Sequence, residues 1–152
     1  MISNTGKAAV ASIVGEKTEV DLTFMPIVAH TIPSVVSVGI TEQNAQDLGL
    51  QIRVSQFALG SNGYATITGK KDGFIKVIAD STTEIIQGIH MIGEGAVEMA
   101  GSFAQLLEMA AKEEDIKFPH YAHPGFNEGL LEAVEGLIGQ AIHASPAKRR
   151  AY

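Results

Sequence analysis

Tyr64-Ala65-Thr66-Ile67-Thr68-Gly69-Lys70-Lys71-Asp72-Gly73-Phe74-Ile75-Lys76-Val77-Ile78-Ala79-Asp80-Ser81-Thr82-Thr83-Glu84-Ile85-Ile86-Gln87-Gly88-Ile89-His90-Met91-Ile92 is the stretch on which the fold turns. Three runs in it are rich in β-branched and aromatic residues: 64–69, 74–79 and 85–92. Asp72-Gly73 is a hairpin dipeptide between the first two, and Asp80-Ser81-Thr82 leads into the third. The pattern predicts three antiparallel strands. Such a sheet has to bury at least one face, and two amphipathic helices downstream offer partners. Met99, Phe103, Leu106, Leu107 and Ala110 recur at helical spacing in one; Leu130, Leu131, Val134, Leu137 and Ile138 do so in the other.

Upstream, Val35-Val36-Ser37-Val38 reads as a buried strand ending at Gly39, and Gln51 to Phe57 as another. Between them, Thr41 to Leu48 reads as a short helix capped by Thr41 and closed by Gly49. Pro26 and Pro33 force extended chain before them. With strands first, helices after and no βαβ alternation, the class is α+β: an antiparallel sheet of about five strands packed against helices. Residues 4–14 form a further helix with Asn4 and Thr5 as N-cap residues and Gly15 as its stop. A helix this short needs a tertiary partner, which suggests a chain cut from something larger. Gly60-Ser61-Asn62-Gly63 lacks the Gly-Lys-Ser/Thr of a phosphate loop and reads as a turn.

Composition bounds the function. A chain of 152 residues, 45% hydrophobic and 18% charged, is one globular domain. Its formal net charge of −6 confines any nucleic-acid footprint to a local patch. The one tight basic cluster, Lys148-Arg149-Arg150, reads as a solvated tail. No apolar run approaches the roughly 18 residues of a membrane helix, and residues 1–7 lack a secretory pattern, so neither membrane nor nucleic acid is an expected partner and the cytoplasm is the default compartment. The chain has no cysteine, hence no disulfide, thiolate metal site or cysteine nucleophile.

Chemistry concentrates in Phe118-Pro119-His120-Tyr121-Ala122-His123-Pro124-Gly125-Phe126-Asn127-Glu128. His123 and Glu128 make an imidazole–carboxylate couple, the usual means of moving a proton near neutral pH. By spacing alone, a Pro-Gly turn before a helix, with Glu128 a favourable first-turn acid and Asn127 its cap, is the more ordinary reading. A 2-His-1-carboxylate metal set of His120, His123 and Glu128 is a third, although Pro124 interrupts helical ligand spacing. His30, His90 and His143 read as isolated surface or strand histidines, Met91 and Met99 as core, and 112–115 as a solvated helix end.

Several stretches in register resemble one family. Met25-Pro26-Ile27-Val28-Ala29-His30-Thr31-Ile32-Pro33-Ser34-Val35-Val36-Ser37-Val38-Gly39-Ile40-Thr41-Glu42 resembles the entry into the C-terminal dimerisation (interface) domain of the FAD- and NAD-linked disulfide oxidoreductases, most closely the dihydrolipoamide dehydrogenase group. Asp72-Gly73-Phe74-Ile75-Lys76, Gly88-Ile89-His90-Met91-Ile92-Gly93 and Glu98-Met99 follow in that family's order. Its His-Pro-Thr-x-Ser-Glu signature has the carboxylate five residues after the histidine, as here.

The resemblance implies that His123 is the acid–base for a dihydrolipoamide thiol, that Glu128 orients it, and that Pro124 follows a cis bond. It also implies action in trans within a homodimer, with the lipoyl domain of a 2-oxo acid dehydrogenase or glycine cleavage complex as partner. Gly125 and Asn127 stand where the family has Thr and Ser, Tyr121 where it often has His, and Ser34 where it has Glu; Gly125 is expected to loosen the loop. FAD, NAD and a redox cysteine pair belong to the full-length enzyme. The chain has neither their Gly-x-Gly-x-x-Gly opening nor cysteines, so no cofactor or metal is expected on it and it is expected to be inactive alone. The division read from sequence is 1–30, the end of an FAD domain and its linker; 31–145, the dimerisation domain; and 146–152, a basic tail. The competing reading is a self-sufficient binding or metal-binding module of the same fold.

Overall fold

A computed structural model describes residues 2–16 and 21–144; the basic tail and residues 17–20 lie outside them. The chain runs α1 (Ile2–Ile13), β1 (Ile27–Ala29), β2 (Val35–Gly39), α2 (Glu42–Asp47), β3 (Ile52–Ala58), a 3-10 turn (Leu59–Ser61), α3 (Gly63–Thr68), β4 (Phe74–Asp80), β5 (Ile86–Ile92), α4 (Ala96–Glu108), α5 (Glu113–Lys117) and α6 (Asn127–Gly136). The five strands form one antiparallel sheet in the order β1-β2-β5-β4-β3.

Strand alternation decides the layers. Val36, Val38, Phe57, Ile75, Val77, Ala79, Ile89 and Met91 are buried together on one face. There α4 lies along β2 and β5, and α6 along β3 and β4, with Phe103, Leu107, Leu130, Ala133 and Val134 inserted from the helices. Met91 and Met99 are core, as read from sequence. Ala110 and Ile138 are exposed, because α4 ends at Glu108 and α6 at Gly136, before either position can face the sheet. On the opposite face, Lys76 of β4 bridges to Glu42 of α2, which places α2 there, and Thr41 caps α2 in a capping box with Asn44.

The strand count agrees with the sequence reading, but its membership differs. Residues 64–68 belong to α3, not to a strand. Asn62 caps the helix through Ala65 N–H and Gly69, at φ 71°, ends it; these two end signals outweigh the β propensity of Thr66, Ile67 and Thr68. Ile67 is 72% exposed, so no strand face is lost. The fifth strand is β1, which lies upstream of residue 31. Asp72-Gly73 therefore closes no hairpin. It delivers the chain into β4, with Gly73 at φ 129° and its carbonyl accepting from Leu59 N–H. The tight connection is β4 to β5, where Asp80 Oδ1 accepts from the N–H groups of Thr82 and Thr83 at 2.9 and 2.6 Å.

Residues 112–115 are likewise not a solvated helix end. They open α5, and Glu113 is 2% exposed, with its Oε1 2.7 Å from Arg53 of β3. Among the described residues no helix is long and apolar enough to cross a membrane.

Candidate acid–base site

The loop from α5 to α6 is tied down along its length. Tyr121 O–H donates to the Ile116 carbonyl at 2.7 Å, and burial pushes its phenol pKa up. The His123–Pro124 peptide is cis. Phe126 meets Tyr64 of α3 edge to face, centroids 5.1 Å apart. It also fills a notch over Gly95, where a Cβ would come within 3.1 Å of its ring. At the start of α6, Gly129 lets the helix lie close on the sheet; a Cβ there would meet Ile75 and Phe57 at 3.1 and 3.3 Å. A two-turn repeat puts Gly136 on the same face, against Ser55. The helix carrying Glu128 is thus seated by glycines spaced to face β3.

Glu128 uses both oxygens. Oε1 is 2.8 Å from His123 Nδ1, and Oε2 accepts the Gly125 N–H at 2.9 Å. Burial pushes Glu128 up, but the bonds from His123 and Gly125, with the charges of His123 and His143, outweigh it and hold the carboxyl below the usual carboxylate range. An ionised carboxylate only accepts, so Nδ1 carries the proton and Nε2 is the basic nitrogen of the neutral ring. The His123 side chain is 80% exposed, open to a reactant. Gly125, expected to loosen the loop, is held on both sides of its backbone. Its N–H is held by Glu128 and its carbonyl by Asn62 Nδ2 at 3.0 Å, and two bonds offset the freedom of the missing side chain.

The other singled-out residues fall elsewhere. His120 is exposed, and among the described residues no three His, Asp or Glu side chains converge to hold a metal. Asn127 makes no side-chain cap, since α6 begins at it with Phe126 as its helical-conformation N-cap. His90 is not isolated: Nε2–H donates to the Ile40 carbonyl at 2.9 Å, so Nδ1 accepts from Ser37 O–H at 2.8 Å. His143 is not isolated either. Its backbone N–H and Nδ1 meet the two oxygens of Glu132 at 3.0 and 2.6 Å. Glu132 sits one helical turn beyond Glu128, and each carboxylate holds one backbone N–H and one imidazole. Asn62 and Glu132 were missed in the sequence. The i,i+4 spacing of Glu128 and Glu132 was the one available signal for the second clamp.

A five-stranded antiparallel sheet packed against helices in this way has counterparts among known proteins. The family described as pyridine nucleotide-disulphide oxidoreductase, dimerisation domain, matches residues 25–134, and the chain belongs to it. Within that family it resembles the corresponding part of dihydrolipoyl dehydrogenases. It is 35% identical over 141 residues to the dihydrolipoyl dehydrogenase of Bacillus subtilis, covering 93% of this chain and 30% of that protein. The mitochondrial dihydrolipoyl dehydrogenase of Schizosaccharomyces pombe is 37% identical over 139 residues, 91% of this chain and 27% of its own length. The chain therefore spans under a third of the relatives it matches. The HOCl-induced flavoprotein disulfide reductase RclA of Escherichia coli superposes with a TM-score of 0.79 at 19% identity, over 87% of this chain and 31% of its own. LpdA of Mycobacterium tuberculosis does so at 0.78 and 18%, over 89% and 30%. At that identity the likeness is one of fold.

Proposed function

We propose that this chain is the dimerisation and half-site domain of a dihydrolipoyl dehydrogenase, and that His123 and Glu128 supply, in trans within a homodimer, the acid–base couple for NAD-linked oxidation of dihydrolipoamide thiols. The supporting observation is the 2.8 Å contact between His123 Nδ1 and Glu128 Oε1, beside an imidazole left open to solvent.

The chemistry follows from the tautomer. Neutral His123 keeps the Nδ1 proton on Glu128 and presents Nε2. A substrate thiol, with an ordinary pKa of about 8.5, gives its proton to Nε2 and becomes the nucleophilic thiolate. The imidazolium so formed is stabilised by the Glu128 carboxylate and returns the proton in the reverse direction. Gly125 N–H, on the second oxygen of Glu128, fixes the plane of the carboxylate.

The glycines at 60–63 form the 3-10 turn and the start of α3, and the Asn62 side chain is already engaged. The sequence holds no cysteine. In this reading FAD, NAD and the redox disulfide reside on parts of the enzyme outside this chain, which alone is inactive. The lipoyl domain of a 2-oxo acid dehydrogenase or glycine cleavage complex brings the substrate.

The test is His123→Gln in the full-length enzyme. Dihydrolipoamide turnover is expected to fall by about 10²-fold or more, the usual scale for a lost acid–base group, with the dimer intact by light scattering. Unchanged turnover would overturn the assignment.

A further inference from the structure

We propose that Asn62 is a positioning residue of the His123–Glu128 couple, acting on it through Gly125. The inference rests on the acid–base reading for its chemical meaning, but its geometry stands separately. Asn62 is 3% exposed, and both ends of its amide are used. Oδ1 accepts the Ala65 N–H at 2.9 Å, and Nδ2 donates to the Gly125 carbonyl at 3.0 Å, across 63 residues of sequence. The amide can face only one way, since a flip would set its NH2 group against the Ala65 donor and its oxygen against the Gly125 acceptor.

Capping α3 does not require this residue. Serine or aspartate would serve the Ala65 N–H equally well. What only the amide adds is a donor to Gly125. That residue has no side chain to restrict its backbone, and its own N–H supports Glu128. The connected path is Asn62 Nδ2 to Gly125 carbonyl, Gly125 N–H to Glu128 Oε2, and Glu128 Oε1 to His123 Nδ1. One residue along, Tyr64 grips Phe126. The start of α3 thus holds the loop at two successive positions, and the polar hold is the one aligned with the couple.

The experiment uses the 152-residue chain with Asn62→Ser and Asn62→Asp, both competent caps and neither an amide donor. The readouts are hydrogen exchange at the amides of Ala65 and Gly125 and the NMR titration of the Glu128 carboxyl. Ala65 protection is expected to persist in both variants, while exchange at Gly125 accelerates by about tenfold or more. The Glu128 midpoint should climb towards the ordinary value. Gly125 exchange within about twofold of the parent, with an unmoved Glu128 midpoint in both variants, would overturn the proposal. So would equal loss of protection at Ala65 and Gly125 in both, which would make Asn62 a fold residue only. In the full-length enzyme, Asn62→Ser should lower kcat by about tenfold with little change in KM. A silent Asn62→Ser beside a crippled His123→Gln sinks this inference alone. Intact turnover in His123→Gln sinks the acid–base reading, and the exchange data remain decisive for Asn62.

Discussion

Glu128 and Glu113 show two uses of a carboxylate. Glu128 is partly exposed, meets aligned donors on both oxygens and stays ionised to serve His123. Glu113 is buried, and its nearest cation, Arg53 at 2.7 Å, is not aligned as a hydrogen bond; Arg53 Nε has no partner at all. The attraction there is Coulombic, with Lys117 at 3.9 Å as a weaker second cation. Removing Arg53 strands a charge from which water is excluded. Arg53→Leu is expected to cost about 2–3 kcal/mol by urea denaturation, somewhat under the usual penalty for a broken buried pair because Lys117 remains. Arg53→Leu combined with Glu113→Leu should recover most of that loss. At this scale the sequence exposed His123 and Glu128, because their spacing is local. It hid Arg53–Glu113 and Asn62–Gly125, whose partners are brought together only by the fold.

At the scale of the element, strands β2, β4 and β5 were legible from β-rich runs and turn signals, β3 from alternation, and the helices α4 and α6 from periodicity. α3 was not, since six residues are too few for a helical period to show against three β-branched residues, and only its two caps declared it. The pairing of β2 with β5 carries a titratable link. His90 reaches Ser37 on β2 and the Ile40 carbonyl just beyond it. Burial pushes the imidazole below its ordinary value; nearby Lys76 adds to this, while the Ile40 carbonyl and Glu42 oppose it. A depressed histidine contributes stability that is complete above the unfolded pKa of about 6.5 and is lost as pH falls through the folded value. Thermal melts between pH 7 and 5.5 are therefore expected to show a falling Tm. His90→Gln should melt lower at pH 7 and lose much of that dependence; a slope unchanged by the substitution would assign it to other groups.

For the whole molecule, one core joins every layer that positions the loop. Phe103 of α4 is fully buried among residues of the sheet and α6. Phe103→Ala is expected to cost about 3–5 kcal/mol, measured as a cooperative shift of the entire urea transition. A loss confined to α4, with the sheet still protected from hydrogen exchange, would mean that the layers unfold separately. The α+β class was readable because composition, alternation and helical stripes all pointed the same way. β1 was not, because its three residues carry no alternation of their own and become a strand only by pairing with β2.

The paired clamps on α6 also limit how this region can change in length. Glu128 and Glu132 serve upstream and downstream chain from positions one helical turn apart, and both engagements require that phase. A residue inserted or deleted between them would rotate one carboxylate by about 100° around the helix axis relative to the other. One clamp would then open whatever amino acid was added. Between the two clamps, at 129–131, the number of residues has no latitude.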